Sequence, residues 1–200
     1  MRTVLLTSSD LFAVRPDYSA SPCRVATPTL PNGDAVWQQS GVAPEHAAQY
    51  LDAFLDAELV DSGRWCDFIL NMSPPSLTVT ENFYQSWASS FDMAFVPFPI
   101  RIRRTFRRPK LYRFLVPLHR YQIVDYNAAK LEYFDGVRDP KYARRVLNWV
   151  IDASQVPNLQ VFSDRLGLTI ATADFASILE SATGIKTIRL DMLHKPLLGS

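Results

Sequence analysis

The sequence predicts an α+β protein in which two similar β-helix-β units, with mixed or antiparallel sheet, stand beside an extra N-terminal helix. Short apolar runs bounded by turn residues recur from Trp65 onward, which is the pattern of strands rather than of long helices. The order strand, turn, strand, helix, strand occurs twice, over 67–98 and over 158–190. Hydrophobic residues make up 48% and charged residues 20% of 200 residues, the balance of a chain that buries a core unaided. The expected organisation is an N-terminal part, 1–64, packed on a body, 65–200.

Within 1–64, the stretch Met1 to Asp10 reads as a strand. Its apolar part is too short for a signal-peptide core, and Asp10 interrupts it. Residues 15–44 hold Pro16, Pro22, Pro28, Pro31 and Pro44 together with Asn32-Gly33, so they read as a long loop with one short strand near Val36-Trp37. Pro44 then opens a helix whose apolar stripe is Tyr50, Leu51, Phe54, Leu55 and Leu59, stopped by Asp61-Ser62-Gly63.

In the first unit, Asp67 to Leu70 and Leu77 to Val79 read as strands around the turn Ser73-Pro74-Pro75-Ser76. Thr80 caps a helix carrying Phe83, Trp87 and Phe91, and Ala94 to Phe98 leaves as a strand. In the second, Asn158 to Phe162 and Leu168 to Ile170 are strands, Thr172 opens a helix, Thr183-Gly184 ends it, and Ile185 to Leu190 leaves as a strand. Thr80 matches Thr172, Val96 and Phe98 match Ile188 and Leu190, and a one-residue slip aligns Leu77 with Leu168. Between the units lie a basic strand region, 100–117, and a helix from about Pro140 to Ala153 with Tyr142, Val146, Trp149 and Val150 on one side.

The formal net charge is +1, so electrostatic function has to come from local clustering. One cluster stands out: Arg101, Arg103, Arg104, Arg107, Arg108, Lys110 and Arg113, interleaved with Ile100, Ile102, Phe106, Leu111, Tyr112 and Phe114. A strand with Ile100 and Ile102 inward displays Arg101 and Arg103 outward. Such a strip suits an acidic protein surface or phosphates, and it equally suits a solvated hairpin edge whose charges discourage edge-to-edge pairing. Trp37 and Tyr18 in the Pro-rich loop read as exposed aromatic anchors, since aromatic and Arg residues dominate interface hot spots.

Evidence for catalysis is thin. His46, His119 and His194 stand far apart, Cys23 and Cys66 have no metal-ligand spacing, and no phosphate loop or nucleophile elbow occurs. Asp125, Glu132, Asp135 and Asp139 form a loose carboxylate set. Asp135 to Pro140 reads as a turn and helix lead-in, and a metal-dependent hydrolase on Asp125, Glu132 and Asp139 is the enzymatic alternative. The expectation is a binding protein without cofactor or metal, its thiols reduced, in the cytoplasm and not in a membrane.

The stretch Leu159 to Leu190, with Val161-Phe162, Ile170-Ala171-Thr172 and Thr183-Gly184-Ile185, resembles the closing module of a family of bacterial immunity proteins encoded beside polymorphic toxins. The earlier unit, Phe68 to Phe98, and the segments Val124-Asp125-Tyr126 and Leu131-Glu132-Tyr133 extend the resemblance to about two thirds of the length. It implies an antitoxin that binds a cognate toxin effector and blocks it. The Arg-rich 101–113 segment and the 15–44 loop lie outside the family pattern, so the binding surface does not carry over. A nucleic-acid-binding module using 101–113 and a structural protein of a larger assembly are the other readings.

Overall fold

The computed structural model describes residues 7–8, 10–30, 50–52, 54–72, 75–104, 107–136, 139 and 143–193, with the side chains of Arg104, Arg107 and Arg108 left aside. Among the described residues the chain is a sheet-dominated mixture of strands and three short α-helices. In chain order the strands are β1 (Leu11–Pro16), β2 (Arg24–Val25), β3 (Leu55–Ala57), β4 (Leu59–Asp61), β5 (Phe68–Asn71) and β6 (Leu77–Thr80). They continue with β7 (Phe95–Arg104), β8 (Arg107–Pro117), β9 (Arg120–Tyr121), β10 (Lys130–Tyr133), β11 (Ala143–Asn148), β12 (Val161–Asp164), β13 (Thr169–Thr172) and β14 (Ile185–Arg189). The helices are α1 (Glu81–Ser86), α2 (Ala88–Asp92) and α3 (Ala173–Leu179).

Seven strands form one sheet in the order β3-β7-β8-β6-β5-β2-β4, and five form another in the order β14-β1-β13-β12-β9. Both are mixed. Among the described strands, β3/β7 and β2/β5 in the first sheet and β9/β12 in the second are parallel, and the other pairs are antiparallel. The N-terminal β1 lies between the hairpin strand β13 and the outgoing strand β14 of the five-stranded sheet, antiparallel to both. The strand β8 takes the same place in the other sheet, antiparallel to β6 and β7.

Alternation along the strands sorts side chains into three cores. The central one joins faces of both sheets to all three helices, through Phe68, Val79, Phe95 and Leu115 on one side, Val14, Val161 and Ala171 on the other, and Tyr84, Phe91 and Phe175 from the helices. Edge-to-face ring pairs knit it together, with Phe91 against Phe175 at 5.6 Å and Trp87 against Phe175 at 6.2 Å. Behind the five-stranded sheet, Leu11, Ile170 and Phe162 meet Val146 and Trp149 of the β10–β11 ribbon. Behind the seven-stranded sheet, Ile100, Ile102, Tyr112 and Phe114 pack with Cys23, Leu55 and Ala57.

Four sequence expectations require correction. The strand found near the N-terminus is Leu11–Pro16; before it the Asp10 carboxylate accepts from the Thr7 amide at 2.8 Å, and residues 1–6 and 9 lie outside the described residues. Of the helix expected from Pro44, residues 44–49 lie outside the described residues; its expected continuation to Leu59 is not helical, because Leu55–Ala57 and Leu59–Asp61 are strands. Leu55 and Ala57 point inward and Asp56 outward, so a two-residue period decides these positions; the short strand near Val36-Trp37 lies outside the described residues.

The helix expected over 140–153 is the strand β11. It pairs with β10 through two irregularities that each place an extra residue on β11. Those bulges put Ala143, Val146 and Trp149 on one buried face at three-residue intervals, which in sequence imitates a helix. Finally, the pairing sets Leu77-Thr78-Val79 against Leu115-Phe114-Arg113 and Thr169-Ile170-Ala171 against Val14-Ala13-Phe12. Measured from Thr80 and Thr172, Leu77 therefore corresponds to Thr169 with no slip, and Phe98, opposite Phe114, corresponds to Ile188, opposite Ala13.

Candidate partner-binding surface

The Arg-rich segment is the far end of the β7–β8 hairpin. The two strands pair from Phe95 opposite Pro117 to Arg104 opposite Arg107. Strand β6 follows β8 only from Leu115 to Tyr112, and β3 follows β7 only along Ile100 to Ile102. Among the described residues, Arg107 to Leu111 therefore pair with β7 alone. About five residues at ~3.3 Å each make an arm of roughly 17 Å beyond β6.

The arm alternates as its sequence requires. Ile100 and Ile102 are fully buried, while Arg101 is part-exposed and Arg103 is 68% exposed on the other face. Asp56, directly opposite Arg101 on β3, holds both cations. Arg101 Nε donates to Asp56 Oδ1 at 2.8 Å and Arg103 reaches Oδ2 at 2.7 Å. The hydrogen bond from Arg101, with a smaller contribution from Arg103, holds the Asp56 carboxyl below its ordinary range and raises the Arg101 guanidinium. Leu111, opposite Arg101, is 44% exposed, so an apolar side chain stands beside the charged group. Lys110 lies with its ammonium 5.9 Å from the Trp65 ring, which in turn stacks at a tilt on Tyr112.

Arg113 is different. It forms a two-pronged pair with Glu81 at 2.7 and 2.9 Å, donates to the Pro97 carbonyl at 3.3 Å, and lies over the Tyr84 ring at 5.0 Å. Burial works against the Glu81 anion, but the bonds from Arg113 and Gln85 prevail and its carboxyl is lowered. Arg113 thus ties β8 to α1 and is engaged within the fold. Arg104, Arg107 and Arg108 occupy backbone positions at the tip, and Trp37 lies outside the described residues. Asp56 and Glu81 carried no signal in sequence, standing 45 and 32 positions from their partners.

The remaining candidates do not converge. Asp125 accepts from the amides of Asn127 and Ala128 in its own turn, Glu132 faces Arg144 and Arg145 at 3.6 and 3.7 Å, and no three His, Cys, Asp or Glu among the described residues come close enough to hold a metal ion. His119 is exposed beside Tyr121, and His46 and His194 lie outside the described residues. Both cysteines are buried and neither is in a disulfide, and Cys23 Sγ donates to the Gly63 carbonyl at 3.1 Å. No described helix is long and apolar enough to cross a membrane.

No family model and no curated protein matches the chain. Its surfaces therefore have to be read from their own chemistry. On the arm that chemistry is a cationic strip broken by one carboxylate and flanked by an exposed leucine.

Proposed function

We propose that this protein is an immunity-type binder that neutralises a toxin effector through protein–protein contact, with the β7–β8 arm as its principal contact surface, acting in the cytoplasm without cofactor. The observation that carries the reading is the overhang: among the described residues, Arg107 to Leu111 of β8 pair with β7 alone, beyond the end of β6, and Arg103, Lys110 and Leu111 are exposed there. Cations of this kind steer an acidic partner into register, and the adjacent apolar groups exclude water from the contacts they make. Asp56 between Arg101 and Arg103 favours a protein partner over nucleic acid. A carboxylate within the strip lowers the field that attracts a phosphate backbone, whereas a protein surface can answer both signs.

The two sheets are read, as part of the same proposal, as two similar β-helix-β units, 67–98 and 158–190, each with a strand from outside it, β8 or β1, between its hairpin and its outgoing strand. In each, a hairpin is followed by a Thr, a helix and an outgoing strand, and a further strand lies parallel to the hairpin's first. Such a scaffold fixes the arm at one end of β7, the longer of the two outgoing strands.

The test is co-purification of the tagged full chain from its source cells at moderate salt, beside the variant carrying Arg103→Glu and Lys110→Glu. One stoichiometric protein should accompany the wild type and be lost, or associate at least several-fold more slowly, with the variant. Equal recovery with both removes the arm from the proposal. Nuclease-sensitive nucleic acid in place of a protein would support the alternative module.

A further inference from the structure

The two outgoing strands, β7 and β14, treat their outer backbone differently. In an antiparallel ladder every second residue turns its N–H and C=O toward one neighbouring strand, and the residues between turn theirs to the other side. In β7 the Leu118 amide donates to the Ala94 carbonyl at 2.9 Å, in register with Phe95 opposite Pro117. Even-numbered residues of β7 therefore face β8, and Phe95, Pro97, Pro99 and Arg101 face away from it. Arg101 meets β3 on that side. Pro97 and Pro99 have no N–H to offer there, a placement that keeps a strand edge from recruiting another strand.

In β14 the Asp17 amide donates to the Gly184 carbonyl at 3.1 Å, in register with Pro16 opposite Ile185. Lys186 and Ile188 therefore face β1, and Ile185, Thr187 and Arg189 face away. Since Phe98 corresponds to Ile188, Pro97 corresponds to Thr187 and Pro99 to Arg189. Where β7 carries prolines, β14 presents amides. It is also the last strand of its sheet, and the outward amides of Ile185, Thr187 and Arg189 and the carbonyls of Ile185 and Thr187 have no hydrogen-bond partner among the described residues.

This open edge is short. Gly184, with φ of +84°, leads into it, and the 3-10 turn Leu190–Met192 carries the chain away after Arg189. A second β14, set antiparallel about Thr187, has the matching length and turns away at the matching place. It puts Thr187 opposite the second copy's Thr187, and Ile185 opposite the second copy's Arg189. Outward amides then meet outward carbonyls, with Thr187 exchanging bonds with its copy and each Arg189 amide meeting an Ile185 carbonyl.

The side chains agree with that register. Thr opposite Thr is a favourable cross-strand pair, and the stem of Lys186 lies beside the half-buried Ile188 of the second copy. Glu180 stands 3.3 Å from the Thr187 hydroxyl, on the face that Arg189 shares with Thr187. The second copy's Arg189, diagonal to Thr187, thus comes near an acid rather than a base. Both cations of the edge also have counter-ions in their own chain. Arg189 holds Asp191 at 2.9 and 3.1 Å, and Lys186 adds to the Ser19 hydrogen bond in keeping the Asp17 carboxyl low. Charge therefore does not oppose the approach of two copies.

We propose that two copies of this chain associate through β14, antiparallel about Thr187, so that their five-stranded sheets run on as one across a two-fold axis. A second copy is favoured over an unrelated strand because the open groups, the length and the ends of this edge are self-complementary. The contact uses no residue of the β7–β8 arm.

The experiment is sedimentation velocity of the full chain over a range of micromolar concentrations, beside Arg189→Pro. Arg189 has φ of −55°, which proline adopts, and its amide has no partner within the chain, so the variant gives β14 the guard that Pro99 gives β7 without removing a backbone bond of the fold. The wild type should pass from monomer to dimer as concentration rises. Its dissociation constant should increase roughly tenfold or more in Arg189→Pro and in Thr187→Pro, with the melting temperature of the dilute protein unchanged. Arg189→Gln keeps the amide and should dimerise within a few-fold of the wild type, which separates loss of the amide from loss of the guanidinium.

The register has its own readout. With glutathione disulfide as oxidant, Thr187→Cys should yield a disulfide-linked dimer, because the Cα atoms of a hydrogen-bonded pair stand about 5.5 Å apart. Lys186→Cys, which faces Ile188 of the second copy, should link far less. A monomer at every concentration up to the millimolar range, a dimer that both proline variants leave intact, or equal cross-linking at positions 186 and 187 overturns the proposal. The arm variant, Arg103→Glu with Lys110→Glu, should dimerise as the wild type does, so failure of this contact and failure of the proposed function are told apart.

Discussion

In the segment from β5 to β7 the Thr80 amide donates to the Asp67 carbonyl at 2.8 Å, and in the segment from β12 to β14 the Thr172 amide donates to the Gln160 carbonyl at 2.9 Å. Leu118 donates to Ala94 at 2.9 Å where Asp17 donates to Gly184 at 3.1 Å. Each segment also reaches across to the other. The Asp67 carboxylate accepts from the Thr183 amide and hydroxyl at 2.9 and 2.8 Å, and Ser90 donates to the Gln160 side chain at 2.6 Å. These backbone bonds occur in both segments while the side chains at the turns differ, so substitutions in each segment separate what such a backbone needs from what one segment alone uses.

The largest difference is expected at the entry to the outgoing strand, where one segment has Ala94 and the other Gly184. Gly184 has φ of +84°, and a methyl there would lie 2.1 Å from the Phe68 carbonyl oxygen and 2.6 Å from Cys66 Cβ. Neither neighbour is the end of a flexible chain. Gly184→Ala should therefore destabilise by about 3 kcal/mol or more, whereas Ala94→Gly should cost only about 1 kcal/mol. Urea unfolding of both variants measures this. A Gly184→Ala protein as stable as the wild type would show that the close approach of α3's end to β5 is not a constraint.

That glycine was legible in the sequence as a helix stop; its packing against Phe68 was not, because the contact joins residues 116 or more positions apart, as the Asp67–Thr183 bonds beside it do. The same division holds elsewhere. The strand, Thr, helix, strand order rests on local chemistry such as caps, turn residues and alternation, and it could be read from neighbours in the chain. Alternation placed Arg101 and Arg103 outward for the same reason. The bulges of β11 imitated a helix because they convert a period of two into one of three. The seating of β1 between β13 and β14, and the Asp56 and Glu81 partners of the basic arm, are set only by tertiary pairing. The arm's alternation could be read ahead of the structure, but its neutralised positions could not.

A second contrast concerns the last residue of each hairpin's first strand. Asn71 donates to the Ser76 carbonyl at 2.9 Å and to Thr78 Oγ1 at 3.2 Å. Asp164, in the corresponding place, accepts from the Leu168 amide at 2.7 Å, is 1% exposed, and leaves Oδ2 without a partner. Burial outweighs the backbone bonds and the nearby Arg120, pushing the Asp164 carboxyl up to about 7.

The unfolded chain ionises this group near ~3.9. Stability should therefore be fullest below that value, fall as pH rises toward 7 while only the unfolded state gains charge, and level off above it, a change on the order of a few kcal/mol. Asp164→Asn removes the titration. Its unfolding free energy should change far less between pH 4.5 and 8 than that of the wild type, and an unaltered slope would assign the dependence to other groups.

The smallest contrast is at the helix caps. Thr80 Oγ1 accepts from the Phe83 amide at 3.3 Å, satisfying one of the donors that the first turn of α1 leaves open. Thr172 has the same extended backbone but makes no such bond; its hydroxyl donates to the Gln160 carbonyl at 3.4 Å. Thr80→Ala should cost about 1 kcal/mol and Thr172→Ala distinctly less, since it gives up only one long bond at a part-exposed site. If the two substitutions cost the same in urea unfolding, the capping bond contributes nothing beyond β-strand preference. Thr at both positions would then be retained for the strands they end, β6 and β13, rather than for the helices they open.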